Sequence, residues 1–192
     1  MAGVLVPLSN TSLPSFSFVA SSPSTADHHA FGREFGSRFA STITKRFAAK
    51  LGLRRMLEVK NTSAGAALYH SFLDVHEREY PLAMAELRGI AAGAGLDFDA
   101  VFLQNIPEEF SACAAELPGR PMAPAPFDGC SDLMVCHAHA ADGVCAIAHN
   151  EDNAKEDIDA LVLVRATFGG ATWVAATYAG ELPSGAFAFS RT

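Results

Sequence analysis

An α+β fold is predicted for this 192-residue chain from the order of its hydrophobic patterns. In several segments before residue 105, apolar residues recur every three to four positions, which is typical of amphipathic helices. After a proline-rich segment at residues 115–128, short apolar runs are separated by glycine-containing turns, which is typical of strands. Because helices and strands are segregated along the chain, the pattern favours α+β over alternating βαβ units.

The N-terminal region is predicted to begin with a short strand and loop at residues 4–20, followed by a helix from Asp27 to about residue 50. Asp27 is the predicted N-cap of this helix. Gly32 and Gly36, four positions apart, predict close packing of the helix against a neighbour. One apolar stripe runs along the helix and consists of Phe31, Phe35, Phe39, Ile43 and Phe47.

Three further helices are predicted before the proline-rich segment. The first covers about residues 63–80 and is interrupted by Pro81, which lacks the backbone N–H that a helix interior needs. The second covers about residues 81–92 and ends at Gly93-Ala94-Gly95. The third is short, with Asp97 as its cap and its end near Asn105.

The region after residue 130 is predicted to form an antiparallel sheet that buries its apolar face on the helices. Two strands at 131–139 and 144–149 are joined by a turn at Asp142-Gly143. Two more at 161–168 and 171–178 are joined by Gly169-Gly170, and a fifth strand covers 186–190.

Composition excludes several classes of protein. The 14 basic and 21 acidic residues argue against nucleic acid as the main partner. No run of about 20 apolar residues occurs, so no membrane-spanning helix is predicted. The first 26 residues carry no charge and therefore lack the basic start of a secretion signal. With four cysteines that do not suggest a disulfide framework, a cytoplasmic location is predicted, and a plastid location stays open.

Gly129 and Cys130 lie where the proline-rich segment meets the first strand of the predicted sheet. A strand holds a side chain rigidly, whereas the loop before it can be cut. Cleavage of the Gly129–Cys130 bond would give Cys130 an α-amino group, a type of group whose ordinary pKa is about 7.7–8.0. That amine could serve as general base for the thiol of the same residue, so that no histidine would be needed.

A polar cluster, His149-Asn150-Glu151-Asp152-Asn153, follows the first predicted hairpin. If the second strand of that hairpin pairs with the first, the cluster returns to the vicinity of Cys130. A carboxylate there could hold the ammonium form of the amine, and an amide could donate to a developing oxyanion.

Residues 128–165 resemble the acyl-coenzyme A:6-aminopenicillanic-acid acyltransferase family of N-terminal-nucleophile cysteine hydrolases. The resemblance is carried by Asp128-Gly129-Cys130-Ser131, by the turn at Asp142-Gly143 and by Asn150-Glu151-Asp152. Residues 31–36 are similar to the aromatic and glycine-containing helix upstream of the nucleophile in that family, so the resemblance extends over roughly residues 28–189.

The resemblance implies an αββα sandwich of two antiparallel sheets covered by helices. It implies that Cys130 is the nucleophile, exposed by self-cleavage after Gly129, that Asp152 orients the nucleophile and its amine, and that Asn150 supports the site. The implied reaction is acyl transfer or hydrolysis of linear amides through a Cys130 thioester, with no cofactor or metal. Its substrate would be a small acyl amide or acyl-coenzyme A, and the two cleaved segments are expected to associate.

Family members continue beyond the position equivalent to Thr192. The chain is therefore expected to be a single incomplete domain, with residues 1–129 as a helical segment and residues 130–192 as the start of the β segment. The family's oxyanion donor has no assigned counterpart here, and Glu151 stands where an aromatic or large apolar residue is common. The alternative function is a catalytically inactive fragment that interacts with a full-length homologue.

Other interpretations of the same residues stay open. Cys130 could be a small buried apolar residue, which is the interpretation favoured for Cys113, Cys136 and Cys145. The acidic residues at 151–159 lack the glycine and spacing of a calcium loop and are interpreted as a solvated loop. A zinc site is the weaker alternative for a group without the usual ligand spacing, namely Cys136, His137, His139, Cys145 and His149.

Overall fold

The structure, a computed structural model, describes residues 13–118, 130–139, 143, 146–150, 153–183 and 187–191. Its α-helices are α1 (Thr25–Arg38), α2 (Ala40–Ala49), α3 (Leu51–Lys60), α4 (Ser63–Glu79), α5 (Pro81–Ala94), α6 (Phe98–Gln104) and α7 (Pro107–Ala115). Its strands are β1 (Ser15–Ala20), β2 (Ser131–Val135), β3 (Ala146–Asn150), β4 (Leu161–Phe168), β5 (Ala171–Tyr178) and β6 (Phe187–Arg191). Short 3₁₀ helices cover His137–His139 and Lys155–Ala160.

The fold is α+β, as predicted, but its larger sheet is mixed. Four strands lie in the order β1-β4-β5-β6, and β2 pairs with β3 in a separate antiparallel sheet. The prediction of an antiparallel sheet built only after residue 130 is wrong in one respect, because β1 pairs in parallel with β4. Phe16 and Phe18 of β1 pack edge-on against Phe31 of α1, so β1 joins the sheet while covering the helical core.

The predicted continuous helix from Asp27 to about residue 50 is two helices, α1 and α2, which meet at Phe39. The backbone of Phe39 departs from helical geometry, with φ −111° and ψ 17°. Asp27 is also not the N-cap, because Ser24 caps α1 by accepting a hydrogen bond from the Asp27 N–H at 3.1 Å. The apolar stripe is nevertheless buried along its whole length, so the break leaves it facing the core.

Glycines on α1 and α5 allow these two helices to pack backbone to backbone. A Cβ added at Gly32 would overlap the carbonyl oxygen of Glu86, and one added at Gly89 would overlap the carbonyl oxygen of His29. Gly36 and Gly93 meet the facing helix in the same way. The predicted close packing at Gly32 and Gly36 is thus confirmed.

Several element boundaries differ from the predictions. Helices α3 and α7 were not predicted, and β2 ends at Val135 because residues 137–139 form a 3₁₀ turn. The β4–β5 hairpin is confirmed, with Gly169 and Gly170 in the left-handed region at φ 56° and 94°. These two glycines supply the backbone conformation that a tight hairpin turn requires.

The helices cover one face of the four-stranded sheet. Alternate residues of β4, from Val162 to Phe168, are buried against them, whereas Leu163 on the opposite face is 40% exposed. The β2–β3 hairpin exposes its apolar residues more strongly, with Leu133 at 62%, Met134 at 69% and Ile147 at 50%. Every helix among the described residues is too short or too polar to span a bilayer.

Candidate functional site

The β2–β3 hairpin brings the end of β3 back to the start of β2. Ser131 pairs with Asn150, so Asn150 lies beside the strand end that Cys130 immediately precedes. Directly opposite residues in an antiparallel pair have Cα atoms about 4.5–5.5 Å apart. The hairpin therefore brings Cys130 and Asn150 into one neighbourhood, and Cys130 is exposed there.

The alternation of side chains assigns these residues to different faces of the hairpin. Ser131 and its partner Asn150 lie on one face of the hairpin and Asp132 on the other, and the same alternation continued one residue before β2 assigns position 130 to the face of Asp132. On the face shared with Cys130, His149 pairs with Asp132, and its Nδ1 lies 2.8 Å from Asp132 Oδ1. Sequence reasoning missed this pair, because the predicted strands, which end at residue 139 and resume at residue 144, would put Asp132 opposite residue 151, whereas the observed register puts it opposite His149.

Part of the predicted site lies outside the described residues, namely Gly129, Glu151, Asp152 and Cys145. Cys113 and Cys136 are exposed, so the prediction that they are small buried residues is wrong. Cys113 lies on the solvent side of α7, whose buried side is formed by Phe110 and Ala114. Among the described residues, no group of three or more histidine, cysteine or acidic side chains could hold a metal ion.

A polar pocket of about 420 Å³ includes Asn153 in its lining. Asn153 follows the last residue of β3, Asn150, by three positions in the sequence. Most of the pocket's other walls are polar, including Lys50, Gln104 and Glu108. A pocket of this size can hold a small molecule, and its lining favours a polar one.

Three residues that line this pocket, Arg46, Lys50 and Glu181, belong to an ionic network centred on the buried Arg46. Its Nε lies 2.5 Å from Asp157 Oδ1, a second guanidinium nitrogen binds Glu181, and a third donates to the Ala179 carbonyl at 3.1 Å. Lys50 Nζ completes the pairing of Asp157 at 2.6 Å. Asp157 is only 1% exposed. The prediction that the acidic residues at 151–159 form a solvated loop is therefore wrong for Asp157, which is buried and paired with Arg46 and Lys50.

A second buried carboxylate, Glu86 of α5, faces α1. Glu86 Oε2 is 3.0 Å from His28 Nδ1, and the His28 ring stacks on Phe168 with centroids 4.3 Å apart. Glu86 Oε1 has no hydrogen-bond partner among the described residues. Burial raises the pKa of Glu86, and the hydrogen bond and charge of His28 offset that rise only in part.

The raised pKa of Glu86 predicts a pH dependence of stability. The folded state holds the Glu86 proton at pH values where the unfolded chain has lost it, so this group makes stability fall as pH rises above about 4.5. In Glu86→Gln this contribution is absent. We expect the difference in unfolding free energy, variant minus wild type, to increase with pH in urea titrations between pH 4.5 and 6.5. Parallel pH profiles for the two proteins would contradict the prediction.

Comparison with known proteins finds no family model that matches this sequence and no curated protein with significant similarity to it.

Proposed function

We propose that this chain is a cysteine N-terminal-nucleophile enzyme that hydrolyses linear amides or transfers their acyl groups. Cys130 is the nucleophile, released by self-cleavage after Gly129. The observation that supports the proposal most directly is the pairing of Ser131 with Asn150, which brings the end of β3 to the strand end beside Cys130. An exposed thiol at a rigid strand end is accessible to a substrate carbonyl.

In the proposed turnover, the α-amine of the processed Cys130 takes the thiol proton and the thiolate attacks the amide carbonyl carbon. The C–N bond of the tetrahedral intermediate then breaks, and the α-ammonium returns the proton to the leaving amine. The resulting thioester is attacked by water or by a second amine, and the C–S bond breaks as the thiol is restored. These steps need no metal or organic cofactor.

The carboxylate of Asp152 is proposed to stabilise the ammonium form of Cys130, and Asn150 to support the strand end. Both roles come from the family resemblance. The polar pocket that contains Asn153 supports a polar acceptor or leaving group, because its lining offers charged and amide side chains. An acyl amide and acyl-coenzyme A are the two proposed classes of acyl donor.

The proposed αββα sandwich goes further than the α+β fold described above. It is supported by the apolar residues on the uncovered side of the four-stranded sheet, where Val19 is 78% and Leu163 is 40% exposed. The hairpin also carries exposed apolar residues on both faces, with Leu133 on one and Met134 on the other. Strands that are apolar on both faces are typical of an inner layer of a sandwich.

Intact-mass spectrometry of the purified chain tests the proposal. We expect wild type to yield two species, residues 1–129 and residues 130–192, whereas Cys130→Ala stays whole because it lacks the nucleophile. Cys136→Ala is the matched control, since Cys136 is exposed on the same hairpin and is expected to leave processing unchanged. A wild-type chain that stays whole, or a Cys130→Ala chain that is cut at the same bond, would contradict the assignment.

A non-catalytic interaction with a homologous protein is the second candidate function. It is favoured by the exposed apolar residues of the hairpin, among them Leu133, Met134 and Ile147. Exposed apolar residues grouped on paired strands are typical of surfaces that bind another protein. Under this function the chain has no reason to cut itself before Cys130, so the mass measurement separates the two candidates.

A further inference from the structure

Self-cleavage before Cys130 requires a base other than the one proposed for the mature enzyme. Before cleavage, the nitrogen of Cys130 belongs to the amide bond with Gly129, and an amide nitrogen cannot accept the thiol proton. The α-amine becomes available only after the bond is cut. Another group near Cys130, a side chain or a water molecule, must therefore take the proton in the first step, and histidine is the side chain that most often does so.

We infer that His149, oriented by Asp132, is the general base of this first step. The inference rests on the proposed function, since it assigns a residue to the self-cleavage of the same cysteine. In the hairpin register, Asp132 lies directly opposite His149. Extended by the one residue that precedes β2, this register makes His149 the diagonal neighbour of position 130, and diagonal neighbours lie about 7–8 Å apart, within reach of aromatic and long side chains.

The contact between His149 and Asp132 determines which ring nitrogen is basic. A carboxylate can only accept, so at 2.8 Å from Asp132 Oδ1 the Nδ1 of His149 carries the hydrogen. The lone pair of the neutral imidazole then lies on Nε2, the nitrogen remote from the main chain. The His149 side chain is 15% exposed and that of Asp132 is 72% exposed. The imidazole of His149 is thus mostly covered by the protein, whereas the carboxylate of Asp132 is exposed to solvent.

The other histidines on this part of the chain are placed less well. His137 and His139 belong to the 3₁₀ turn beyond the far end of β2. Five residues of strand separate that turn from Cys130, a span of roughly 17 Å. Among the described histidines of the hairpin, His149 alone lies at the Cys130 end.

Self-cleavage before Cys130 consumes one water molecule and needs no other reactant. His149 Nε2 takes the proton from Cys130 Sγ, and the thiolate attacks the carbonyl carbon of Gly129. The Gly129–Cys130 C–N bond breaks, the imidazolium returns the proton to the departing nitrogen, and a thioester joins Gly129 to Cys130 Sγ. Water then hydrolyses the thioester, which leaves the Gly129 carboxylate and the Cys130 thiol. From that point the new α-amine can serve as base.

The test follows self-cleavage of the full chain during cell-free synthesis, with the fraction cut before Cys130 measured over time by mass spectrometry. His149→Ala is expected to slow cleavage by about 10²–10⁴-fold, the usual contribution of a general base. Added imidazole is expected to restore part of the rate in this variant, which a purely structural loss would not allow. His139→Ala is the matched control and is expected to cleave like wild type, with no response to imidazole.

Asp132 is a positioning residue, because it orients His149 and does not touch the reacting atoms. Its role is tested separately with conservative variants. Asp132→Asn is expected to slow cleavage at least about tenfold, because an amide can hold the wrong tautomer of His149, and Asp132→Glu is expected to restore most of the rate. Wild-type rates in His149→Ala, or a loss that imidazole does not restore in a folded variant, would overturn the assignment of His149. A wild-type chain that never cleaves would instead overturn the proposed function itself, so the two failures are distinguishable.

Discussion

Replacing Arg46 with leucine is expected to lower the free energy of unfolding by about 3 kcal/mol, as measured by urea denaturation at neutral pH. Arg46 binds Asp157 and Glu181 and donates to the Ala179 carbonyl, and its guanidinium lies 5.0 Å from the centre of the Tyr178 ring. Leucine would leave Asp157 with Lys50 as its one remaining cationic partner among the described residues. The cost comes from a buried carboxylate that has lost most of its compensation.

Lys45 provides the matched control, since it precedes Arg46 on α2 and also pairs with an aspartate. The Lys45–Asp159 contact is 3.8 Å long, and both side chains are more than 80% exposed. Exposed ion pairs contribute about 0–1 kcal/mol, so Lys45→Leu is expected to change stability little. Asp157→Asn in the Arg46→Leu background should recover part of the loss, because it removes the uncompensated charge. Equal losses in Lys45→Leu and Arg46→Leu would refute the role of the buried network.

The sequence correctly predicted the helices and strands that depend on residues close together in the chain. The stripe of five apolar residues through Phe31 and Phe47, the helix ending at Gly95 and the hairpin around Gly169-Gly170 all agree with the structure. The break at Phe39 was not predicted, because the apolar spacing continues across it in the sequence. The parallel pairing of β1 with β4 joins residues more than 140 positions apart, and no local pattern reports such a contact.

In the candidate site too, contacts between residues close in sequence were predicted and contacts between distant residues were not. The return of Asn150 to the vicinity of Cys130 followed from hairpin pairing alone, and the register confirms it. The burial of Asp157 did not follow from its acidic neighbours, because the compensating cations, Arg46 on α2 and Lys50 just after that helix, lie 111 and 107 residues away along the chain. The Asp132–His149 pair is intermediate, since it is visible only once the register is known to the residue.

Substituting Gly32 with alanine is expected to cost about 3 kcal/mol of unfolding free energy, at the upper end of the usual cost of overpacking. The added methyl group would overlap the backbone carbonyl of Glu86, and a helix backbone cannot move aside as a side chain can. The two helices would have to separate, with loss of packing along their whole contact. Thermal or urea denaturation of Gly32→Ala beside wild type measures the effect.

Glycine-to-alanine substitution at Gly52, on α3, is the matched control. Nothing lies within 4 Å of a Cβ added there, and Gly52 is in the first turn of α3, so Gly52→Ala is expected to raise stability by less than the roughly 0.5–1 kcal/mol that the change gives in the middle of a helix. The double variant Gly32→Ala/Gly89→Ala should cost less than the sum of the single variants, because Gly32 and Gly89 face each other and one separation of the helices relieves both overlaps. Additive losses would mean that each methyl group is accommodated by its own local shift, and the close α1–α5 contact would then not be a single rigid interface.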